Sequence, residues 1–309
     1  MILTVTPNTA LDTVLFVDDF SIGRTARATG SAEGMGGKGA VTSWILARLG
    51  VPTVATGLAG GATGRRMVAI LEEAGATTDF CWVDGETRTN YVIARTRDGA
   101  QGTITVAGLC PSLEDGVRLA AHVRSLLAGA RYLLCGGSLP DGLPDDWYAP
   151  LIAAAREAGV TSLLDVSGRF LAPNVAARPD IIKPNADEAE TLLGRPLPTI
   201  AAAAEGAAEL RTRGIGTVLI TLGERGAVAA TAEGLFYVPP IPVQVLNTAG
   251  AGDGFNAGLL TARRRGACWE EALRHAVAVA TSILLTPGTG DCRPEDVRAL
   301  LPRARVARL

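Results

Sequence analysis

Asn247-Thr248-Ala249-Gly250-Ala251-Gly252-Asp253-Gly254-Phe255 separates a strand-like run, residues 243–246, from a helical one, residues 253–265. Small residues at such a junction let backbone N–H groups converge at the start of a helix, which makes an anion site. Asp253 then falls in the first helical turn, beside that site. A carboxylate in this position suits a general base that takes a proton from an attacking hydroxyl. Read alone, the same letters also describe an ordinary Asp near a helix cap after a glycine turn. The companions of the motif decide between the two.

Outward from this stretch, strands alternate with helices, the pattern of a parallel sheet covered on both faces. Strands are expected at residues 2–6, 53–57, 132–135, 162–166, 180–182 and 217–221, and again at 227–230, 235–238 and 243–246. Helices are expected at 40–49, 65–73, 113–127, 145–157, 188–193 and 200–212, with 253–265, 270–284 and 294–301 closing the chain. Two segments break the rhythm. Residues 14–20 and 91–106 read as extended strands without intervening helices, and 91–96 and 102–106 flank a hairpin signal at Asp98-Gly99. They predict a small separate sheet, placed as a lid over a substrate cleft.

The chain has 309 residues, long enough for two domains or one large α/β domain. With 48% hydrophobic residues it can bury a sizeable core, which excludes global disorder. A net charge of -2 and only 19% charged residues exclude bulk attraction to nucleic acid. None of its apolar runs reaches the ~18 residues of a membrane helix. The start, Met1-Ile2-Leu3-Thr4-Val5, has no basic region before it and reads as a first strand rather than a signal peptide. Five cysteines without a CxxC fit reduced, mostly buried thiols in a cytoplasmic protein.

Lys and Arg total 29, yet only Lys38 and Lys183 are lysines. Both lie in unusual contexts, Gly36-Gly37-Lys38-Gly39 and Lys183-Pro184-Asn185. A compact ammonium and a planar guanidinium are not interchangeable where space is tight. The spelling Gly34-Met35-Gly36-Gly37-Lys38-Gly39 is not read as a dinucleotide site, because residues 28–33 make a poor strand and no acid follows at 57–61. It is not a Walker loop either, since Gly39 stands where Ser or Thr belongs. In Lys183-Pro184-Asn185-Ala186-Asp187-Glu188, Asn185 and Glu188 are three apart at a helix start. That spacing is a capping box, and it also allows both to face one metal–water cluster. The glycines of Thr221-Leu222-Gly223-Glu224-Arg225-Gly226 permit close approach of a nucleotide or simply make a turn. Cys135-Gly136-Gly137-Ser138-Leu139-Pro140 mimics a nucleophile elbow, but Pro140 replaces the final Gly, and the chain's two histidines, His122 and His275, lie in helical stretches.

Together these segments resemble the PfkB (ribokinase-like) carbohydrate kinases, and within them the 1-phosphofructokinase and tagatose-6-phosphate kinase branch. The resemblance runs over essentially the whole chain. Asn8-Thr9-Ala10-Leu11-Asp12, Gly36-Gly37-Lys38-Gly39, Ser138-Leu139-Pro140, Leu164-Asp165-Val166-Ser167-Gly168, Lys183-Pro184-Asn185, Thr248-Ala249-Gly250-Ala251-Gly252-Asp253 and Leu285-Thr286-Pro287-Gly288-Thr289-Gly290 follow in the family's order. The resemblance implies an α/β fold, a ribokinase-like three-layer α/β/α core with a mostly parallel sheet plus a small β-sheet lid. Residues 1–309 would form a single kinase domain, with lid strands from about residues 12–32 and 86–107 inserted in it.

It also implies ATP as donor, Mg²⁺, and a sugar or sugar phosphate as acceptor, with no nucleic acid or membrane partner, and it leaves open a homodimer through the lid. Asp253 would be the base, with Gly250, Ala251 and Gly252 completing the anion hole. Asp12, Gly36, Gly37, Lys38, Asn90 and Ser138 would bind the acceptor sugar, and Arg88 its existing phosphate. Lys183, Asn185, Thr221, Gly223, Gly226 and Gly252 would contact the nucleotide, and Asn185 with Glu188 the Mg²⁺ through water. The chain departs from the family at three places. Val41 stands where an Asn touches the sugar, so an acceptor other than fructose 1-phosphate is in view. Thr9 replaces Pro, and Asn247 replaces a frequent Asp. Fructose 1-phosphate, fructose 6-phosphate and tagatose 6-phosphate are the expected acceptors. An unphosphorylated sugar or a nucleoside, and a non-catalytic sugar-phosphate-binding protein on this fold, are the alternatives.

Overall fold

The computed structural model describes residues 1–309. In chain order its strands are β1 (Ile2–Thr6), β2 (Ala10–Val17), β3 (Ala28–Gly36), β4 (Thr53–Ala59), β5 (Thr77–Thr78), β6 (Cys81–Trp82), β7 (Arg88–Arg95) and β8 (Gln101–Ile104). They continue as β9 (Tyr132–Gly136), β10 (Thr161–Asp165), β11 (Ile181–Ile182), β12 (Thr217–Thr221), β13 (Ala227–Thr231), β14 (Gly234–Val238) and β15 (Ala307–Arg308). The helices are α1 (Lys38–Arg48), α2 (Gly61–Glu73), α3 (Leu113–Leu126), α4 (Ala149–Glu157), α5 (Leu171–Val175), α6 (Ala186–Leu193), α7 (Ile200–Thr212), α8 (Ala251–Arg264), α9 (Trp269–Leu284) and α10 (Pro294–Leu300).

Eleven strands form the main sheet in the order β15-β14-β13-β12-β11-β10-β9-β1-β4-β5, with β6 also on β4. From β4 to β12 the pairings are parallel, and β13, β14 and β15 add antiparallel at one edge. Successive side chains point to opposite faces of a strand. Thus Leu133 and Cys135 join one apolar cluster, with residues of α3, α4 and α7, while Tyr132 and Leu134 join the other, with α1, α8 and α9. The result is three layers, and runs buried on both faces explain the continuous hydrophobicity of β1, β9 and β10. No helix is long and apolar enough to cross a membrane.

The second sheet has four strands in the order β3-β2-β7-β8. The break in rhythm at 14–20 and 91–106 thus marks a separate sheet, with the hairpin at Asp98-Gly99 joining β7 to β8. Two strand expectations fail. The segment 28–33, Ala-Thr-Gly-Ser-Ala-Glu, is a poor strand by propensity, yet it forms β3 because β2 offers it an antiparallel edge. Its residues are mostly exposed, so pairing rather than burial holds it. Conversely, 243–246 is no strand. Pro239, Pro240 and Pro242 lack N–H donors, and the free edge of β14 is taken by β15. All five cysteines are free, but only Cys135 and Cys292 are buried, while Cys110 and Cys268 are exposed, against the expectation of mostly buried thiols.

Candidate active site

The parallel strands β1, β9, β10, β11 and β12 end side by side, and the loops that leave their carboxyl ends carry most of the motifs. This is where open α/β sheets bind ligands. At its centre is the head of α8. Gly250 caps the helix with φ +87, and a Cβ there would stand 2.6 Å from the Gly290 nitrogen, so the two glycine-bearing loops meet backbone to backbone. Asn247 fastens the approach: its Oδ1 accepts from the Ala249 N–H at 2.7 Å and its Nδ2 donates to the Pro287 carbonyl at 3.1 Å. The Ala251 N–H closes a turn onto the Thr248 carbonyl at 3.2 Å. The N–H groups of Gly252 and Asp253 have no partner in the protein, so these two, and not that of Ala251, remain to meet an anion.

Asp253 is 9% exposed and makes no ion pair. Burial foremost, and then the charge of Asp165, push its pKa up to about 7, against the pull of Lys38 and Lys183. Beside it lies a cluster that the motif readings did not assemble. Lys38 opens α1 and Lys183 follows β11, yet both ammonium groups donate to one carboxylate, Asp165, at 2.7 and 2.9 Å. Asn256, one turn beyond Asp253 on α8, donates to the same carboxylate at 2.7 Å. Burial alone would lift the Asp165 pKa, but the two ammonium groups outweigh it and hold it below the ordinary carboxylate value.

Facing this cluster, the second sheet contributes Asp12 from β2 and Asn90 from β7, neighbours in register. Asn90 Nδ2 donates to Asp12 Oδ1 at 2.9 Å. Gly36 ends β3 opposite Ala10, and a Cβ on it would lie 2.4 Å from Asp12 Oδ1, so only glycine leaves that carboxylate its place. Burial raises the Asp12 pKa, while the Asn90 hydrogen bond and the Arg88 charge oppose the rise. Arg88 opens β7, and its buried Nε has no partner. Ser138 follows β9, and its hydroxyl accepts from Asn8 Nδ2 at 3.1 Å. Asn8 Oδ1 and Thr289 Oγ1 are also buried without partners. The histidines take no part: His122 pairs with Asp79, and Ser138 bonds to Asn8 rather than to an imidazole.

On the other side of the α8 head is a cavity of about 600 Å³. Asn185, Thr221, Gly223, Gly226, Ala251 and Gly252 line one end, and apolar side chains such as Ile241, Val243, Phe255, Val277 and Leu284 line the rest. The segment 243–246, freed from the sheet, is part of this wall. Lys183 is not, because its ammonium is turned to Asp165. Asn185 and Glu188 form the capping box: Asn185 Oδ1 accepts from the Glu188 N–H and Glu188 Oε2 from the Asn185 N–H, both at 2.9 Å. Glu188 Oε1 remains free. No cluster of three or more His, Cys, Asp or Glu side chains could hold a metal by itself. This donor set fits a Mg²⁺ that keeps waters and phosphate oxygens as its main ligands.

Known proteins resemble this chain over nearly its full length. The profile of the pfkB family carbohydrate kinases matches residues 5–296. The chain belongs to that family. It is 34% identical over 311 residues to the 1-phosphofructokinase of Rhodobacter capsulatus, covering 100% of this chain and 98% of the relative. It is 30% identical to that of Bacillus subtilis over 309 residues, 100% of both chains. The solved phosphofructokinase-2 of Escherichia coli in complex with substrates and products superposes with a TM-score of 0.92 at 28% identity, covering 98% of each chain. A ribokinase of Arabidopsis thaliana, solved with ribose and ATP, gives 0.77 at 26% identity over 97% of this chain and 98% of that one.

As a pfkB carbohydrate kinase the protein is a phosphotransferase acting on a sugar hydroxyl. Against the family pattern, the three departures acquire physical roles here. Thr9 is buried and donates to the Leu58 carbonyl at 2.6 Å, tying the β1–β2 turn to β4. Asn247 clamps the turn before α8, as described above. Val41 is 2% exposed and shares an apolar cluster with Trp44, and a Cβ on Gly290 would lie 2.7 Å from its side chain, so it fills space beside the Gly250–Gly290 contact. Asp165, Asn256, Asn8 and Thr289 received no role from the sequence. The available signal was that the chain's only two lysines sit in motifs 145 positions apart, which suggests a shared counter-ion.

Proposed function

We propose that this carbohydrate kinase transfers the terminal phosphoryl group of ATP to a hydroxyl of a ketohexose phosphate. The observation that carries this reading is Arg88, whose buried Nε lacks a partner in the same cleft as the Asp12–Asn90 pair. A half-buried guanidinium with an unmatched donor suits a phosphate that the acceptor already bears. The names of the relatives, 1-phosphofructokinase and phosphofructokinase-2, support the same class of acceptor.

On this reading Asp12 and Asn90, with the backbone around Gly36 and Gly37, hold sugar hydroxyls, and Ser138 adds a further polar contact. Asp253 takes the proton of the attacking hydroxyl. The N–H groups of Gly252 and Asp253 receive the developing charge on the transferring phosphoryl, with the ammonium groups of Lys38 and Lys183 nearby. The nucleotide occupies the cavity bounded by Thr221, Gly223 and Gly226, its base against the apolar wall. Mg²⁺ bound with it would be held through water by Asn185 and Glu188 and would neutralise phosphate charge. The second sheet acts as the lid of a single kinase domain. Ile104 on β8 and Ile22 in the β2–β3 connection, 53% and 97% exposed, give a second copy a face to pair with.

The test is a phosphorylation panel with ATP and fructose 1-phosphate, fructose 6-phosphate, tagatose 6-phosphate, fructose and ribose. One of the three phosphorylated sugars should show the highest kcat/KM. Preference for fructose or ribose would move the reading to an unphosphorylated acceptor, and no turnover with any would point to a binding protein.

A further inference from the structure

Asp165 is 1% exposed, and each of its carboxylate oxygens already has a donor. It ends β10 and gathers three donors from three other elements: Lys38 from the first position of α1, Lys183 from the end of β11, and Asn256 from α8. Neither lysine makes an ion pair with any other carboxylate. Asp253, the nearest other acid in the cleft, pairs with no cation at all, although both ammonium groups act on it electrostatically.

Two ammonium groups over one carboxylate leave one positive charge uncancelled. Lys183 Nζ stands 3.4 Å from where a Cβ on Gly252 would be, next to the unpartnered N–H groups at the head of α8. A buried lysine without a fixed counter-ion would turn to the closest carboxylate. Here that would be the carboxylate that must stay free to accept a proton.

We propose that Asp165 is a positioning residue for phosphoryl transfer: its carboxylate anchors the only two lysines of the chain, aiming their surplus charge at the transferring group while keeping both off Asp253. This inference rests on the kinase reading above for its chemical meaning. In this role Asp165 need touch neither substrate nor reacting atoms. It acts through Lys38, Lys183 and, across the cluster, Asp253.

The decisive variant is Asp165→Asn, which keeps shape and removes the charge. Its kcat should fall by ~100-fold or more, since electrostatic preorganisation is lost, while KM for sugar phosphate and for ATP stays within about 3-fold. A purely structural role would not move the pH profile, but anchoring should. The groups that face Asp253 are Asp165 from β10, Lys38 from α1, Lys183 after β11 and Asp12 from β2. With the Asp165 charge gone and both lysines released, the acid limb of kcat/KM should shift to lower pH. Asp165→Glu, which keeps the charge, should recover more of the rate than Asp165→Asn. Retention of more than about a third of kcat by folded Asp165→Asn, or an acid limb that does not move, overturns the proposal while leaving the kinase reading intact.

A second measurement needs no variant. Because the chain has two lysines, a lysine ¹⁵Nζ spectrum of the wild-type protein contains two side-chain ammonium signals. Both should be protected from exchange and show hydrogen-bond coupling to one carboxylate carbon. Coupling of either ammonium to Asp253 instead, or rapid exchange of both, overturns the proposal whether or not Asp165→Asn folds. Failure of the kinase reading would show separately, as absence of turnover in the wild-type panel.

Discussion

The main sheet lies between clusters of 43 and 34 buried apolar residues, whereas the second sheet gathers only Val14, Val92 and Ala94 into a buried cluster of its own. Both contribute polar groups to one cleft. The main layer supplies Asp253, Asp165, Lys38 and Lys183 from α8, β10, α1 and the end of β11, elements whose apolar side chains belong to the two large clusters. The second sheet supplies Asp12, Asn90 and Arg88 from β2 and β7, which are flanked by the largely exposed strands β3 and β8. Regions with little apolar burial open at low free-energy cost. On the proposed reading, the division suits a kinase in which the groups that act on the phosphoryl must be rigid, while those that enclose the acceptor must let it enter and leave.

The sharpest contrast should come from Asp253→Asn. The carboxamide keeps the shape and loses the base, so kcat should fall by ~10²–10⁴. Folding should survive, because ionising a buried carboxylate whose pKa is raised opposes stability above the ordinary carboxylate range. A thermal melt at pH 8 should show a Tm equal to or above wild type, and more than about a tenth of wild-type kcat would remove Asp253 from the role of base.

Paired truncations then compare the sheets directly. Leu134→Ala, in the middle of β9 and fully buried, should cost ~2–5 kcal/mol in denaturant unfolding. Val14→Ala should change global stability much less and instead raise KM for the acceptor, since the small sheet is not the unit that limits unfolding. Equal losses of stability would mean that the two sheets unfold as one.

Arg88→Ala should raise KM for a sugar phosphate by ~10-fold or more while barely changing KM for ATP. An unchanged acceptor KM would place Arg88 among ordinary surface arginines. The smallest effect is the pH dependence. Because the Asp253 pKa is raised to about 7, the ionised base is lost as pH falls through that value. Activity as kcat/KM at pH 7 should therefore be about half that at pH 8 and fall about tenfold per unit below pH 6. A profile flat down to pH 5 would mean that Asp253 titrates as an ordinary carboxylate.

Where a segment's fate depended on its own periodicity, the sequence was a sufficient guide. The strand Thr217–Thr221 and the helix Ile200–Thr212 have the bounds expected of them, because each carries an apolar pattern facing a core on its own account. Where the outcome depended on a partner, it was not. Residues 28–36 pair because β2 is beside them, and 243–246 do not because β15, about sixty residues later, occupies the edge. The site divides the same way. The glycine-rich head of α8 and the Asn185–Glu188 box are local spellings and could be read directly. The Asp165 hub joins residues 38, 165, 183 and 256, and its meaning exists only where the sheet brings those strand ends together.

The lysine economy of this chain has a consequence for anyone handling it. Amine-directed reagents find side-chain targets only at Lys38, 30% exposed, and Lys183, 5% exposed, both inside the cleft. Coupling to activated-ester surfaces, dyes or cross-linkers will therefore be slow at both side chains, because ammonium groups held by Asp165 resist the deprotonation that acylation needs. The exposed thiols of Cys110 and Cys268 are the better handles for attachment. Conversely, rapid acylation of Lys38 in a folded sample would signal that its ion pair with Asp165 has been broken.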